Sequence, residues 1–144
     1  MARTVHFKRF DTSLPAPKYA TALSAALDLY ARETVAIEPH AVGYVPLNIA
    51  LQIPPDHWVL LAARSSLHKK GVQLVNGIGV GDYDFRGDGD EYQAALLNFS
   101  DKPATIERGE RIVQMIVLPR EPVELVELKE FKTDNRGGFG STGA

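Results

Sequence analysis

The sequence predicts an all-β protein folded as one domain. Three observations carry that prediction. Hydrophobicity alternates with a period of two along most of the chain, proline and glycine separate the alternating runs at close spacing, and only one segment carries helix-boundary signals. Many short strands so arranged argue for a barrel or sandwich rather than for strands alternating with helices. A length of 144 residues suits a single well-filled core.

The first alternating run covers 5–10, Val5-His6-Phe7-Lys8-Arg9-Phe10. Runs at 33–38, 44–53 and 57–63 follow, divided by Pro39, Gly43 and the pair Pro54-Pro55. Further strands are expected at 71–75, 93–99, 104–107, 111–118 and 123–129. The exception is Arg64-Ser65-Ser66-Leu67-His68-Lys69-Lys70-Gly71, which opens on capping residues, has basic residues in its last turn and closes on glycine. That grammar predicts one short helix. The segment is either a connector between strands or an anion site, with the hydroxyls of Ser65 and Ser66 beside Arg64.

Composition is ordinary for a soluble globular protein, 44% hydrophobic and 24% charged. A net charge of −2 gives no general attraction to nucleic acid. With no cysteine the chain has no disulfide, thiol nucleophile or thiolate metal site. The first residues lack a signal-peptide h-region, and the longest apolar run, 58–63, is too short to cross a bilayer. The expectation is a cytoplasmic protein with neither nucleic acid nor membrane as partner. The four histidines show no zinc-binding spacing.

Residues 76–87, Asn76-Gly77-Ile78-Gly79-Val80-Gly81-Asp82-Tyr83-Asp84-Phe85-Arg86-Gly87, alternate glycine with apolar residues as in a strand. Glycine is tolerated in a strand where another backbone or a ligand comes close. The run reads as a flat ligand held by main-chain groups with a carboxylate brought to one end; taken alone it also describes a glycine-rich hairpin with a charged tip. The stretch 134–144 has almost nothing with which to build a core. It is either a disordered tail or a lid, with Arg136, Phe139, Ser141 and Thr142 on a glycine hinge to meet a planar, phosphate-bearing ligand.

Five segments, in order, resemble the motifs of the trimeric deoxyuridine triphosphatase (dUTPase) family. They are Ala25-Ala26-Leu27-Asp28-Leu29, with alanine where the family usually has glycine; Arg64-Ser65-Ser66-Leu67 with Lys70-Gly71; the run 76–87; Gly109-Glu110-Arg111-Ile112-Val113-Gln114; and Gly138-Phe139-Gly140-Ser141-Thr142-Gly143. Two departures stand out. Asp88-Gly89-Asp90 is inserted after the third motif, as an inert surface turn or an added electrostatic element, and the approach to the fifth motif is one residue tighter than usual.

The resemblance implies a distorted jelly-roll β-barrel over 1–132 and a flexible glycine-rich arm over 133–144 that closes on the active site. It implies hydrolysis of dUTP to dUMP and pyrophosphate, which limits uracil incorporation into DNA and supplies dUMP for dTMP synthesis. It further implies Mg²⁺ as cofactor and a homotrimer with shared active sites. Trp58, Val113, Met115 and Val117 are the apolar strand residues available for such an assembly.

Such chemistry needs a base beside a water nucleophile and cationic groups around the phosphates. Asp82 takes the water-activating position, with Asp84 as the alternative. Arg64, Ser65, Ser66 and Gln114 would meet phosphates. Asn76 and the main chain of Gly79, Val80 and Gly81 would hold uracil, whose two carbonyls flank one N–H. Cytosine would leave a donor opposed to a donor, which is costly when buried. Phe85, where the family more often has tyrosine, would lie under the deoxyribose or else belong to the core. Arg136, Phe139, Gly140, Ser141 and Thr142 would close over the nucleotide. Asp28 would serve the metal through water or orient Arg64. A related dCTP deaminase, alone or bifunctional, would need an acid in the strand after the hairpin, where Ala95 stands. A non-catalytic nucleotide-binding module would need a damaged site, yet Asp82, Arg64 and Gln114 are all present.

Overall fold

A computed structural model describes residues 2–143; Met1 of the expected barrel unit and Ala144 of the expected arm lie outside the described residues. The strands are β1 (His6–Arg9), β2 (Leu27–Tyr30), β3 (Val35–Ile37), β4 (Val42–Pro46), β5 (Ile49–Gln52), β6 (His57–Ala63), β7 (Val72–Leu74), β8 (Gly79–Gly81), β9 (Gln93–Asn98), β10 (Ala104–Ile106) and β11 (Arg111–Pro119). All pair antiparallel, in four small sheets ordered β1-β5, β10-β3, β2-β11-β6-β8 and β4-β9-β7. The result is the expected all-β, jelly-roll-like class, assembled from short sheets around one core.

Alternation explains which residues fill that core. Along β6, Val59 and Leu61 turn inward, and along β11 so do Val113 and Met115, paired with Ala63 and Leu61. They meet Leu29 of β2, Val45 of β4 and Leu96 of β9, all fully buried. Each such side chain contributes roughly 1.5–3 kcal/mol of burial. Val113 and Met115 are therefore core residues, not surface kept for assembly, and Val117 packs against the same core. The outward positions of these strands, Trp58, Leu60, Ile116 and Leu118, are apolar and half-buried.

Three expectations are corrected. The expected strand 44–53 is two strands, broken at Leu47 and Asn48; Asn48 is left-handed (φ 68°). Its buried amide accepts from Asp11 N (2.7 Å) and donates to Asp11 O (3.0 Å). The expected helix over 64–71 is a single 3-10 turn, Leu67–Lys70, in which Ser66 makes no capping hydrogen bond. Gly71 does end it in the left-handed conformation (φ 79°). The run 123–129 forms no strand in one chain, and its apolar residues Val123, Leu125, Val126 and Leu128 are exposed. Conversely, the segment around Asp28 is a true strand, β2, hydrogen-bonded to β11. Among the described residues no helix is long and apolar enough to cross a membrane.

Candidate active site

The residues singled out from sequence fall into three groups. The first surrounds a depression of about 480 Å³ lined by Asn76, Gly79, Val80, Gly81, Asp82 and Phe85. Tyr44, Glu91, Tyr92, Gln93 and Ala95, not singled out as binding residues from sequence, complete the lining together with Leu61. The edge strand β8 supplies one wall by pairing Gly79 with Leu61 and Gly81 with Val59. A turn closed by Phe85 N to Asp82 O (3.2 Å) then carries Asp82 to the rim.

The glycines of β8 have a cause that the sequence does not display. A Cβ at Gly79 would lie 2.9 Å from Cβ of Leu61, and one at Gly81 would lie 2.7 Å from Cε1 of Tyr92. Core side chains, rather than a ligand, occupy the space that larger residues would need. Phe85 is 39% exposed and its ring meets Tyr92 edge-on, centroids 5.2 Å apart at 78°. It is a rim residue, not a core one. Arg86 lies 4.2 Å over the Tyr83 ring and donates to Ile53 O at 3.4 Å.

Two carboxylates line this depression. Asp82 is exposed. Glu91 is tied down, accepting from Arg32 Nε (2.7 Å) and Nη2 (2.8 Å) and from Asn48 N (2.9 Å). The inserted turn is closed on itself by Gly87 N to Asp90 Oδ2 (2.7 Å), while Asp88 pairs with Lys8 of β1 at 2.9 Å.

The second group lies on the β2-β11-β6 side. Asp28 pairs with Gln114, and Gln114 with Ala62, so these positions share the sheet's outward face, with Arg64 two residues beyond Ala62. Asp28 holds two arginines, Arg64 Nε at 3.0 Å and Arg111 Nη1 at 3.3 Å. Arg64 also donates to Arg111 O at 3.1 Å, and the Gln114 amide donates to Ala63 O at 3.0 Å. Asp28 therefore stands between the two guanidinium groups, of Arg64 and Arg111. A second depression is lined by Ser24, Ala25, Asp28, Arg64, Ser65 and Gln114, among others. Ser66 lies outside it, exposed at the start of the 3-10 turn.

No residue lines both depressions. The glycines of the first face inward with Leu61, whereas Asp28 and Gln114 of the second face outward. The third group, Arg136, Phe139, Gly140, Ser141 and Thr142, is exposed and lines neither. Left-handed Gly137, Phe139 and Gly140 fold this stretch into turns.

The family model described as dUTPase matches residues 12–143. Among curated proteins, the deoxyuridine 5'-triphosphate nucleotidohydrolase of Hydrogenobaculum sp. (strain Y04AAS1) is 42% identical over 139 residues, 94% of this chain and 93% of its own length. That of Methylocella silvestris is 41% identical, over 98% of this chain and 92% of its own length. Among solved structures, the dUTPase of Streptococcus mutans superposes with a TM-score of 0.74 at 28% identity, covering 82% of this chain and 98% of its own. The dUTPase of Staphylococcus bacteriophage 80alpha with dUPNHPP gives a TM-score of 0.85 at 23% identity, over 99% of this chain and all of its own.

Proposed function

The chain belongs to the dUTPase family and is a dUTP diphosphatase; we propose that it cleaves the α–β anhydride of dUTP with a water activated by Asp82. The observation that carries this reading is the first depression, where the β8 backbone, Asn76, Phe85 and the Asp82 carboxylate converge. Uracil binds to the main chain of Gly79, Val80 and Gly81 and to the Asn76 side chain, and the deoxyribose lies on Phe85. Asp82 takes the proton of a water whose oxygen joins phosphorus as pyrophosphate leaves with its bonding pair, giving dUMP. The dUMP formed serves dTMP synthesis, and the loss of dUTP limits uracil incorporation into DNA; the enzyme works in the cytoplasm.

Arg64, Ser65, Ser66 and Gln114 receive the phosphates, and the Asp28 carboxylate fixes the Arg64 guanidinium in place beforehand. Among the described residues no three His, Asp or Glu side chains gather to hold a metal, and both Asp28 oxygens face arginine, Oδ1 in an ion pair with Arg64 and Oδ2 accepting from Arg111. That donor set suits Mg²⁺ carried by the phosphates with Asp28 behind a water. When bound, the ion supplies charge neutralisation at the anhydride.

We read the sites as shared between copies of a homotrimer. One chain presents its nucleoside-side and phosphate-side residues in separate depressions, which supports a reading in which two copies serve one nucleotide and the arm 133–144 closes as a lid. The apolar outward stripe of Trp58, Leu60, Ile116 and Leu118 and the exposed run 123–129 supply surface for copies to cover. The deaminase alternative is disfavoured: Ala95 lines the depression where an acid would be needed, and Glu91 is held by Arg32. Release of dUMP and pyrophosphate from dUTP, measured beside dCTP and UTP with and without Mg²⁺, tests this. Turnover of dUTP alone, dependent on Mg²⁺, is expected; ammonia from dCTP, or no turnover at all, contradicts it.

A further inference from the structure

Tyr92 lies at the floor of the nucleoside depression and takes no part in the binding or hydrolysis just described. Its hydroxyl is buried and, among the described residues, has no hydrogen-bond partner. Buried hydroxyls nearly always find one, so an orphan at an active site calls for a cause. The ring is held firmly: Phe85 packs edge-on against it, and only a glycine at 81 leaves room for it. Burial, reinforced by the charges of Asp82 and Asp90, pushes the phenol up to about 12. The group thus keeps its proton at neutral pH and is a donor waiting for an acceptor.

Of the two carboxylates whose charges bear on it, Asp90 already accepts from Gly87 N, whereas the Asp82 carboxylate accepts no hydrogen bond among the described residues. Asp82 lines the nucleoside depression and also the neighbouring one formed by Asp56, His57, Trp58 and Arg120. It thus stands between the two, and Tyr92 lines only the first. We propose that Tyr92 is a positioning residue whose phenol O–H donates to the Asp82 carboxylate in the substrate complex and holds it on the nucleoside side. This rests on Asp82 being the base.

The test is steady-state dUTP hydrolysis and thermal melting of wild type, Y92F, D82N and the double variant. Phenylalanine keeps the ring and removes only the hydroxyl. The kcat of Y92F is expected to fall about tenfold, the worth of one well-placed hydrogen bond, with KM unchanged. Its Tm should stay the same or rise, because an unpaired buried hydroxyl is gone. In the D82N background the same change should cost nothing further, since the two residues act as one unit. Unchanged kcat in Y92F beside a crippled D82N, or equal losses in both backgrounds, overturns the proposal alone. A lowered Tm with kcat intact also overturns it and leaves a packing role. Full turnover by D82N overturns the base assignment and the proposal together.

Discussion

Asp82 stands at the rim of the nucleoside depression, exposed and one residue beyond a strand whose backbone is fixed by ladder hydrogen bonds to β6. Replacing it with asparagine keeps the shape and removes the basicity. D82N should lower kcat by at least about 10²-fold while a non-hydrolysable dUTP analogue still binds. Near-normal turnover would move the role, with Asp84 first in line. Phe85 offers a second handle. F85A opens space where a ribose 2′-hydroxyl would sit, so discrimination between dUTP and UTP should drop by about 1–3 kcal/mol. An unchanged preference removes Phe85 from sugar recognition. The glycines are a different case. G81A should destabilise the fold by about 1–3 kcal/mol in denaturant titration, because the new methyl meets the Tyr92 ring. The sequence displays that glycine but not the ring, 11 positions later, that requires it; such a contact exists only once β8 and the start of β9 are packed together.

At the scale of elements, period-two alternation located β6, β9 and β11 because each has one face on the core; β1 was located as well, although its residues are exposed or half-buried. The same signal failed where something non-local decides. The break between β4 and β5 comes from a left-handed Asn48 that bridges to Asp11, 37 residues away. The run 123–129 breaks its alternation at the adjacent pair Leu125-Val126, and one chain offers it no partner. The site residues of motifs two to four were legible because they sit on or beside these strands; Tyr44, Glu91 and Tyr92 were not, since their positions depend on how β4 and β9 meet β8. The arm behaves as a separate element: residues 133–143 are exposed and pair with no strand. Deleting everything after Lys132 should leave melting and assembly intact and lower kcat/KM by about 10²-fold or more, the loss of a water-excluding lid with phosphate contacts. Full kcat/KM in the truncated protein would show that the arm takes no part.

For the whole molecule, the decisive feature is that Asp82 and Arg64 line different depressions of one chain. In a closed rotational assembly a heterologous contact would bring the first depression of one copy to the second of its neighbour, and three copies would complete three sites. The half-buried stripe of Trp58, Leu60, Ile116 and Leu118 would then pass from water to protein, and light scattering should report a trimer. Complementation between two dead variants tests the shared site most directly. D82N and R64A are each expected to be inactive alone. Co-expressed with different tags and purified as mixed assemblies, they should recover roughly a third of wild-type activity, since each mixed trimer has one site of its three with an intact Asp82 from one chain and an intact Arg64 from its neighbour. Mixed assemblies as inactive as their parents would place both residues in the same chain's site and contradict the account.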